Sequence, residues 1–532
     1  SLLFLTQALS EEGLGMDESG PDILIFSNNM QAVTGEEALC PEKALALGPC
    51  QVIPQEYPGL RCRSIDVTLP SPASWQERRL VEQLVQEITT PALGAIGAYR
   101  GGYRWEQTFE PLALSGLETP VPRVSPGGVY LCTGGLGGMA LELAYEMACV
   151  ADQIKLILLG RSELPPRSTW ESQAQIWDER HQQMFQRIRD IERLGAEVFT
   201  VQADVTDIAA MRSALAMISE RYGPLKGVIH AAGIAGGGVI ALKTEQDTTA
   251  VLAPKVQGTW VLDQLLGEMS LDFFVLCSSV NALLHEPGQV DYCAANAFLD
   301  AFAHYRSSKG RALTISINWD RWHNTGMARQ LHSLSQKTHS TPAGISPQGG
   351  RKAFCRVLAS AQPQVIVSAR VFPPVEQAQQ AIPEKPAEQT TATTTGDSEI
   401  SQTRPFLSKA YTTPRNETER HLTGIWQQVM GIVPIGVDDN FFELGGHSVI
   451  ALRIASQVHT LLGQELPLQT LLEHPTIGEQ AAILLQKTGQ AAGSPGVPLV
   501  PVSRAAYRAE LSEQGEIISS AVIRQRLNQE KG

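Results

Sequence analysis

Four polar side chains, Lys255, Ser279, Tyr292 and Asn296, follow a glycine-rich turn, YLCTGGLGGMA, at residues 130–140. Gly135, Gly137 and Ala140 occupy the places of a G-x-G-x-x-G/A fingerprint. Glycines there let the chain turn tightly and bring backbone N–H groups against a pyrophosphate. The helix N-terminus that follows adds a partial positive charge for the anion. The next strand ends in Gly160-Arg161-Ser162. A cofactor with free ribose hydroxyls meets an Asp or Glu at this place, whereas an Arg suits a 2′-phosphate, so the expected cofactor is NADPH. Asp204 is placed to reach an adenine edge. In His230-Ala231-Ala232-Gly233 the small residues let a cofactor lie on the backbone. Tyr292 and Asn296 are four apart on a helical stretch and share one face. Ser279 closes a strand.

The elements that must carry these residues alternate. Strand patterns at 129–132, 155–160, 197–202, 227–230, 272–277 and 313–318 are separated by helical ones. This alternation implies a doubly wound parallel sheet with right-handed crossovers, its cofactor at the carboxyl ends of the strands. Residues 1–120 hold two more strands, 22–28 and 61–67, and a helix at 80–88. They lack the glycine fingerprint and read as a structural unit without a cofactor site. Residues 379–408 are polar and rich in Thr, Pro and Ala, the composition of a flexible linker that could extend to about 100 Å. From 409 to 490 the pattern is helical: Leu422, Ile425, Trp426 and Val429 form one stripe, with Thr413-Pro414 as the helix start. After a second linker, the stretch 517–528 within 491–532 reads first as part of a disordered tail and second as a short helix able to dock a partner.

Composition bounds the rest. The 532 residues suggest about three folding units. With 43% hydrophobic and 18% charged residues the chain reads as a globular protein. A net charge of −13 speaks against nucleic-acid or anionic-membrane partners. The eight cysteines show no C-x-x-C pair and read as reduced thiols of a cytoplasmic protein. The start at Ser1 is expected of a piece of a longer polypeptide.

The motifs TGGLGG (Thr133, Gly134, Gly135, Leu136, Gly137, Gly138), LLGRS with Arg161 and Ser162, ADVTD with Asp204 and Val205, GVIHAAG with Ala231, Ala232 and Gly233, LAPKVQGTW, FVLCSSV, VDYCAANAFLDAFA and ISINWDRW resemble the ketoreductase domain of modular polyketide synthases. That domain is a branch of the short-chain dehydrogenase superfamily. ALGPCQVIPQEYPGLRCRSIDV resembles the truncated structural subdomain that precedes such reductases. The implied α/β fold is two Rossmann-like halves, with boundaries 1–120 and 121–378. A simple short-chain dehydrogenase has its Lys four residues after the Tyr. Here Asn296 holds that place and Lys255 comes earlier, the swapped order of the polyketide branch. The resemblance implies Tyr292 as proton donor to the developing alkoxide. A free phenol has pKa about 10, and the Lys255 ammonium and the nicotinamide cation are expected to lower it. Lys255 would also hold the nicotinamide ribose, Ser279 would donate to the ketone oxygen, and Asn296 would hold the local helix and a water or the Lys.

DDNFFELGGHSVIALRI, at 438–454, resembles the prosthetic-group site of acyl and peptidyl carrier domains. It implies a small four-helix bundle in which Gly445 and Gly446 free the approach to Ser448. Ser448 would carry 4′-phosphopantetheine, installed by a phosphopantetheinyl transferase. His447 before the Ser is commoner in peptidyl carriers, which makes a hybrid polyketide–peptide context plausible. The implied substrate is a β-ketoacyl thioester, and the implied partners are the ketosynthase and other domains of the module. Two other readings stay open: a silent reductase fold that scaffolds a working carrier, and a sugar-type epimerase.

Overall fold

The computed structural model describes residues 1–15, 20–89, 94–112, 123–172, 176–267, 269–323, 344–369, 402–404, 411–441, 444, 448–462, 464, 466, 470–471 and 474–490. The expected linker up to 401 and the tail from 491 lie outside them, as do Gly445, Gly446 and His447.

The front half runs α1 (Leu2–Glu11), β1 (Asp22–Asn28), a 3-10 turn (Pro41–Ala46), α2 (Leu47–Glu56), β2 (Arg61–Val67), α3 (Trp75–Thr89), β3 (Ile96–Arg100) and β4 (Tyr103–Trp105). Its sheet has the order β1-β2-β3-β4, with β1, β2 and β3 parallel and β4 turning back antiparallel. Both strands read from the sequence stand at their expected bounds. Helix α3 starts earlier than expected because the Ser74 hydroxyl accepts from the Glu77 N–H at 3.2 Å.

The larger half contributes β5 (Val129–Thr133), α4 (Gly138–Val150), β6 (Lys155–Gly160), α5 (Thr169–Ser172), α6 (Glu179–Arg193), β7 (Glu197–Gln202), α7 (Ile208–Tyr222), β8 (Leu225–His230), α8 (Glu245–Leu266), β9 (Phe273–Ser279), α9 (Asn281–Leu284), α10 (Val290–Ser308) and β10 (Thr314–Trp319). The helix Pro347–Ala359 and β11 (Gln364–Val367) complete it. All strand pairs are parallel, in the order β11-β10-β9-β8-β5-β6-β7. The chain reverses direction between β5 and β8, so the crevice for a ligand opens there. Strand β11 was not among the expected six. It is a four-residue edge with one fully buried position, too short for a periodicity to stand out. Apolar clusters cover both faces of the sheet, which explains why its strands read as continuous apolar runs.

The two halves share a core. Leu3, Cys50, Val52, Ile53, Tyr57 and Leu60 of the front half pack with Ile240, Val290 and Cys293 of the larger one. Gly48 of α2 lies so close to α10 that a Cβ there would stand 2.6 Å from the Ala294 Cα.

In the carrier region, helices Glu417–Met430, Ser448–Leu462 and Ile477–Gln490 are described. The first starts three residues beyond Pro414, because the Asn416 side chain accepts from the Glu419 N–H at 2.8 Å and Glu419 reaches back to the Arg415 N–H at 2.6 Å. Leu422, Ile425 and Trp426 are buried as the stripe predicts, and Trp426 meets Phe441 edge-on at 5.4 Å. Residues Gln402–Thr403, expected within the linker, pair with Ile432–Val433, and Arg404 bonds Asp439 at 2.9 Å. Beyond Ala482 only the end of the final helix, to Gln490, is described.

Candidate active site

The glycine turn is built by close packing. Gly134 has φ +63°, and a Cβ there would lie 2.7 Å from the Ala231 carbonyl oxygen. A Cβ on Gly135 would lie 2.8 Å from the Leu158 Cα. Gly137 caps α4 without a side chain, so the first N–H groups of the helix have no side-chain acceptor. They face a cleft of about 1440 Å³. Its walls include Gly134, Leu136, Gly137, Gly138, Arg161, Ser162, Asp204, Val205, Ala231, Ala232 and Gly233. Thr133 and Gly135 stand behind the wall and shape it. The far wall is α6, with Arg180, Gln183 and Arg187, which motif reading missed because α6 carries no fingerprint of its own.

Asp204 is engaged locally. Its Oδ1 accepts from the Thr206 N–H at 2.9 Å and hydroxyl at 2.7 Å. Burial alone would raise its carboxyl, but these bonds and the Arg161 charge hold it below the usual range. The carboxylate therefore sits in the electrostatic reach of Arg161.

His230 ends β8 and ties the turn to α8. Its Nε2 lies 3.1 Å from the Pro254 carbonyl, which can only accept, so Nε2 carries the proton. Nδ1 then accepts from the Thr133 hydroxyl at 2.6 Å. Burial, reinforced by the Lys255 charge, pushes the imidazole down to about 3, so the ring is neutral. The sequence reading used His230 only as part of a motif.

Lys255, Ser279, Tyr292 and Asn296 gather beside the cleft: none of them is part of its lining, and Lys255 stands directly behind the wall at Gly233. A Cβ on Gly233, a wall residue, would stand 3.1 Å from the Lys255 Cε. The Lys255 Nζ donates to the Cys277 carbonyl at 2.7 Å and lies 5.8 Å from the centre of the Tyr292 ring. The Asn296 amide donates to the Tyr292 carbonyl at 2.7 Å, and the side chains of Ser279 and Asn296 lie near enough to the phenol to favour its ionised form. Burial brings the Lys255 ammonium down to about 8, with the Asp300 charge opposing. The expected lowering of the Tyr292 phenol is not present in the chain alone: burial raises it, and the nearby Ser279 and Asn296 side chains offset only part.

Behind the four lies a polar tract that sequence reasoning did not identify. Asp300 continues the spacing Tyr292, Asn296, Asp300 along one face of α10. It accepts from the Ser316 hydroxyl at 2.5 Å and the Asn318 amide at 2.7 Å, and Asn318 also donates to Ser278. Burial pushes its carboxyl up to about 6. The four-residue period was the available signal.

A dinucleotide fits this place. Three glycines line a groove that a Cβ would narrow, an uncapped helix N-terminus faces it, and a cation stands at the ribose end. In the carrier region Ser448 opens its helix as expected, and its side chain lies outside the described residues. Among the described residues no helix is long and apolar enough to cross a membrane.

Residues 128–324 match the family model "KR domain", and 420–484 match "Phosphopantetheine attachment site". The chain is 34% identical over 279 residues to polyketide synthase PksN of Bacillus subtilis, covering 51% of this chain and 5% of that protein. It is 30% identical over 387 residues to a 6-methylsalicylic acid synthase of Arthrobotrys oligospora, covering 70% and 20%. The chain thus spans a small part of the relatives it matches. Among solved structures it resembles a ketoreductase domain from the bacillaene assembly line, with TM-score 0.56, 29% identity, and 69% of this chain and 81% of the other covered. An N-terminal ketoreductase from the macrolactin assembly line follows, with TM-score 0.53, 27% identity, and 71% and 68% covered.

Proposed function

The chain carries a ketoreductase domain followed by a phosphopantetheine carrier domain, as polyketide synthases do, and from this premise we propose that it reduces a carrier-bound β-ketoacyl thioester to the β-hydroxyacyl thioester with NADPH. The observation that carries the reading is the gathering of Lys255, Ser279, Tyr292 and Asn296 behind the Gly233 wall of the cleft. NADPH, when bound, supplies the hydride. Tyr292 donates its phenolic proton to the alkoxide oxygen that forms. Ser279 donates a hydrogen bond to the same oxygen, stabilising charge that develops in the transition state. Lys255 keeps positive charge beside the phenol, which counters the upward pull of burial on Tyr292, and would hold the nicotinamide ribose. Asn296 fixes the helix turn that carries Tyr292. Arg161 selects the 2′-phosphate.

Ser448 is the proposed attachment residue for the phosphopantetheine arm, and a phosphopantetheinyl transferase and the other domains of a polyketide or hybrid polyketide–peptide module are the proposed partners. The silent-scaffold reading is disfavoured by the complete set of four side chains, and the epimerase reading by the attached carrier. Mass spectrometry of the arm-loaded protein, offered a panel of β-ketoacyl groups and NADPH, tests the whole. Reduction appears as a gain of two hydrogen masses on the arm. Loading without reduction for every acyl group would refute the enzyme reading, and loading of Ser448→Ala would refute the attachment site.

A further inference from the structure

Two side chains of the front half reach the loops that frame Tyr292. Glu56, at the end of α2, is 1% exposed. One of its oxygens accepts from the Ile240 N–H at 2.6 Å and the other from the Gly288 N–H at 2.7 Å. Ile240 closes the loop that follows Gly233. Gly288 stands just ahead of α10 and Tyr292. Gln7 of α1 donates to the carbonyls of both Ile240 and Lys243, at 2.8 Å each. Lys243 in turn pairs with the buried Asp291, which accepts from the Tyr292 N–H at 2.8 Å.

The two loops lie directly on the phenol-bearing turn. A Cβ on Gly236 would stand 2.7 Å from the Tyr292 Cβ and 2.8 Å from an Asp291 oxygen. Gln289 reaches across to the Gly236 carbonyl at 3.4 Å. A carboxylate suits the position of Glu56 because it offers two acceptors to two buried N–H donors from different loops. An amide offers one acceptor and turns a donor toward the other N–H.

We propose that Glu56 is a positioning residue for ketone reduction. It clamps the 234–240 and 285–289 loops in one register and so sets where Tyr292 stands relative to the bound carbonyl. This rests on the reductase reading above. The clamp acts on the substrate side of the site. The dinucleotide turn belongs to β5 and α4, which Glu56 does not touch, so the pyrophosphate end of the cleft does not depend on it.

The test is steady-state reduction of a soluble β-ketoacyl thioester by the full chain, with active sites counted by NADPH fluorescence. Glu56→Gln is expected to lower kcat per NADPH-binding site by about 10- to 100-fold, because a misplaced catalytic group costs rate on this scale. Its NADPH Kd is expected to stay within about twofold of the parent, a change of less than 0.5 kcal/mol. Gln7→Ala, on the half-buried outer helix, is expected to move kcat in the same direction by a smaller factor. A role in stability alone would lower the melting temperature and leave kcat per binding site unchanged. Parental kcat in folded Glu56→Gln would overturn the proposal. Should that variant not fold, parental kcat in Gln7→Ala would do the same, and a reduced kcat with intact NADPH binding would uphold it. Absence of turnover in the parent would overturn the reductase reading, and the proposal with it.

Discussion

The crevices at the carboxyl ends of the two sheets differ in what fills them. Beyond β1, the N–H groups of Met30 and Gln31 donate to Asp66, and those of Val33, Thr34 and Gly35 donate to Glu37. Arg100 joins the two carboxylates, bonding Asp66 at 2.5 Å and Glu37 at 2.9 Å. Beyond β5, the N-terminus of α4 meets a glycine with no side chain, and the crevice stays open. Inward-facing backbone donors are an anion site only while no protein carboxylate occupies them. The front half uses its own anions and becomes a brace. The other half leaves the place for a pyrophosphate and becomes a site.

If this contrast is right, substitutions in the two halves should separate chemistry from stability. The largest effect is expected from Tyr292→Phe: a fall in kcat of about 10²- to 10⁴-fold, the scale of losing a positioned acid, with NADPH binding kept. Stopped-flow fluorescence with a β-ketoacyl thioester measures both, and substantial residual turnover would remove Tyr292 from the proton-donor role. Next comes Arg100→Met. It leaves Asp66 buried without its cation and should cost about 3–5 kcal/mol in urea unfolding, as broken buried pairs do. The kcat per folded site should hold; a loss of kcat would mean that the brace and the chemistry are coupled through Arg100.

A smaller effect is expected from Arg161→Ala. Loss of charge-assisted bonds to the 2′-phosphate should weaken NADPH by about 10- to 100-fold. Binding of NADH should barely change, and equal weakening of the two cofactors in a fluorescence titration would deny Arg161 that role.

The smallest and most discriminating effect lies in pH. Burial alone would raise Glu37, but the Thr34 N–H and the Arg100 guanidinium bring it down to about 2 from 4.5. Its stabilising contribution is present above 4.5 and fades as pH falls toward 2. Asp300 goes the other way, raised by burial from 3.8 to about 6. The folded state therefore holds its proton more tightly, and stability from this group grows as pH falls from 6 to 4. Unfolding of Glu37→Gln should show its full loss at pH 7 and a shrinking one in acid. Asp300→Asn should lose more at pH 4 than at pH 7. Parallel pH slopes for the two variants would contradict the assigned carboxyl states.

Much of the architecture was legible because it rests on local rules. The alternation of apolar runs, the glycine φ at Gly134, and the i, i+4 placement of Tyr292 and Asn296 are set by neighbours in the chain. The parallel pairing of the large sheet follows from βα alternation with right-handed crossovers. The short edge β11 and the start of the carrier body at Gln402 were not legible, since neither carries a period long enough to read, and α6, periodic at Met184, Phe185, Ile188 and Ile191, has no motif that marks it as a wall of the cleft.

The amino-acid sequence by itself determined which residue types were available and which local conformations each segment adopts. It contained a phenol, an ammonium, a glycine turn and a serine within a carrier-like motif. Tertiary structure decided which groups meet. It brought Lys255 of α8 beside Tyr292 of α10, filled the front crevice with Asp66, Arg100 and Glu37, and carried Glu56 across to Ile240 and Gly288. The reason is physical: propensity and periodicity act over a few residues, whereas a buried charge or N–H takes its partner from whatever segment packing sets within 3 Å of it.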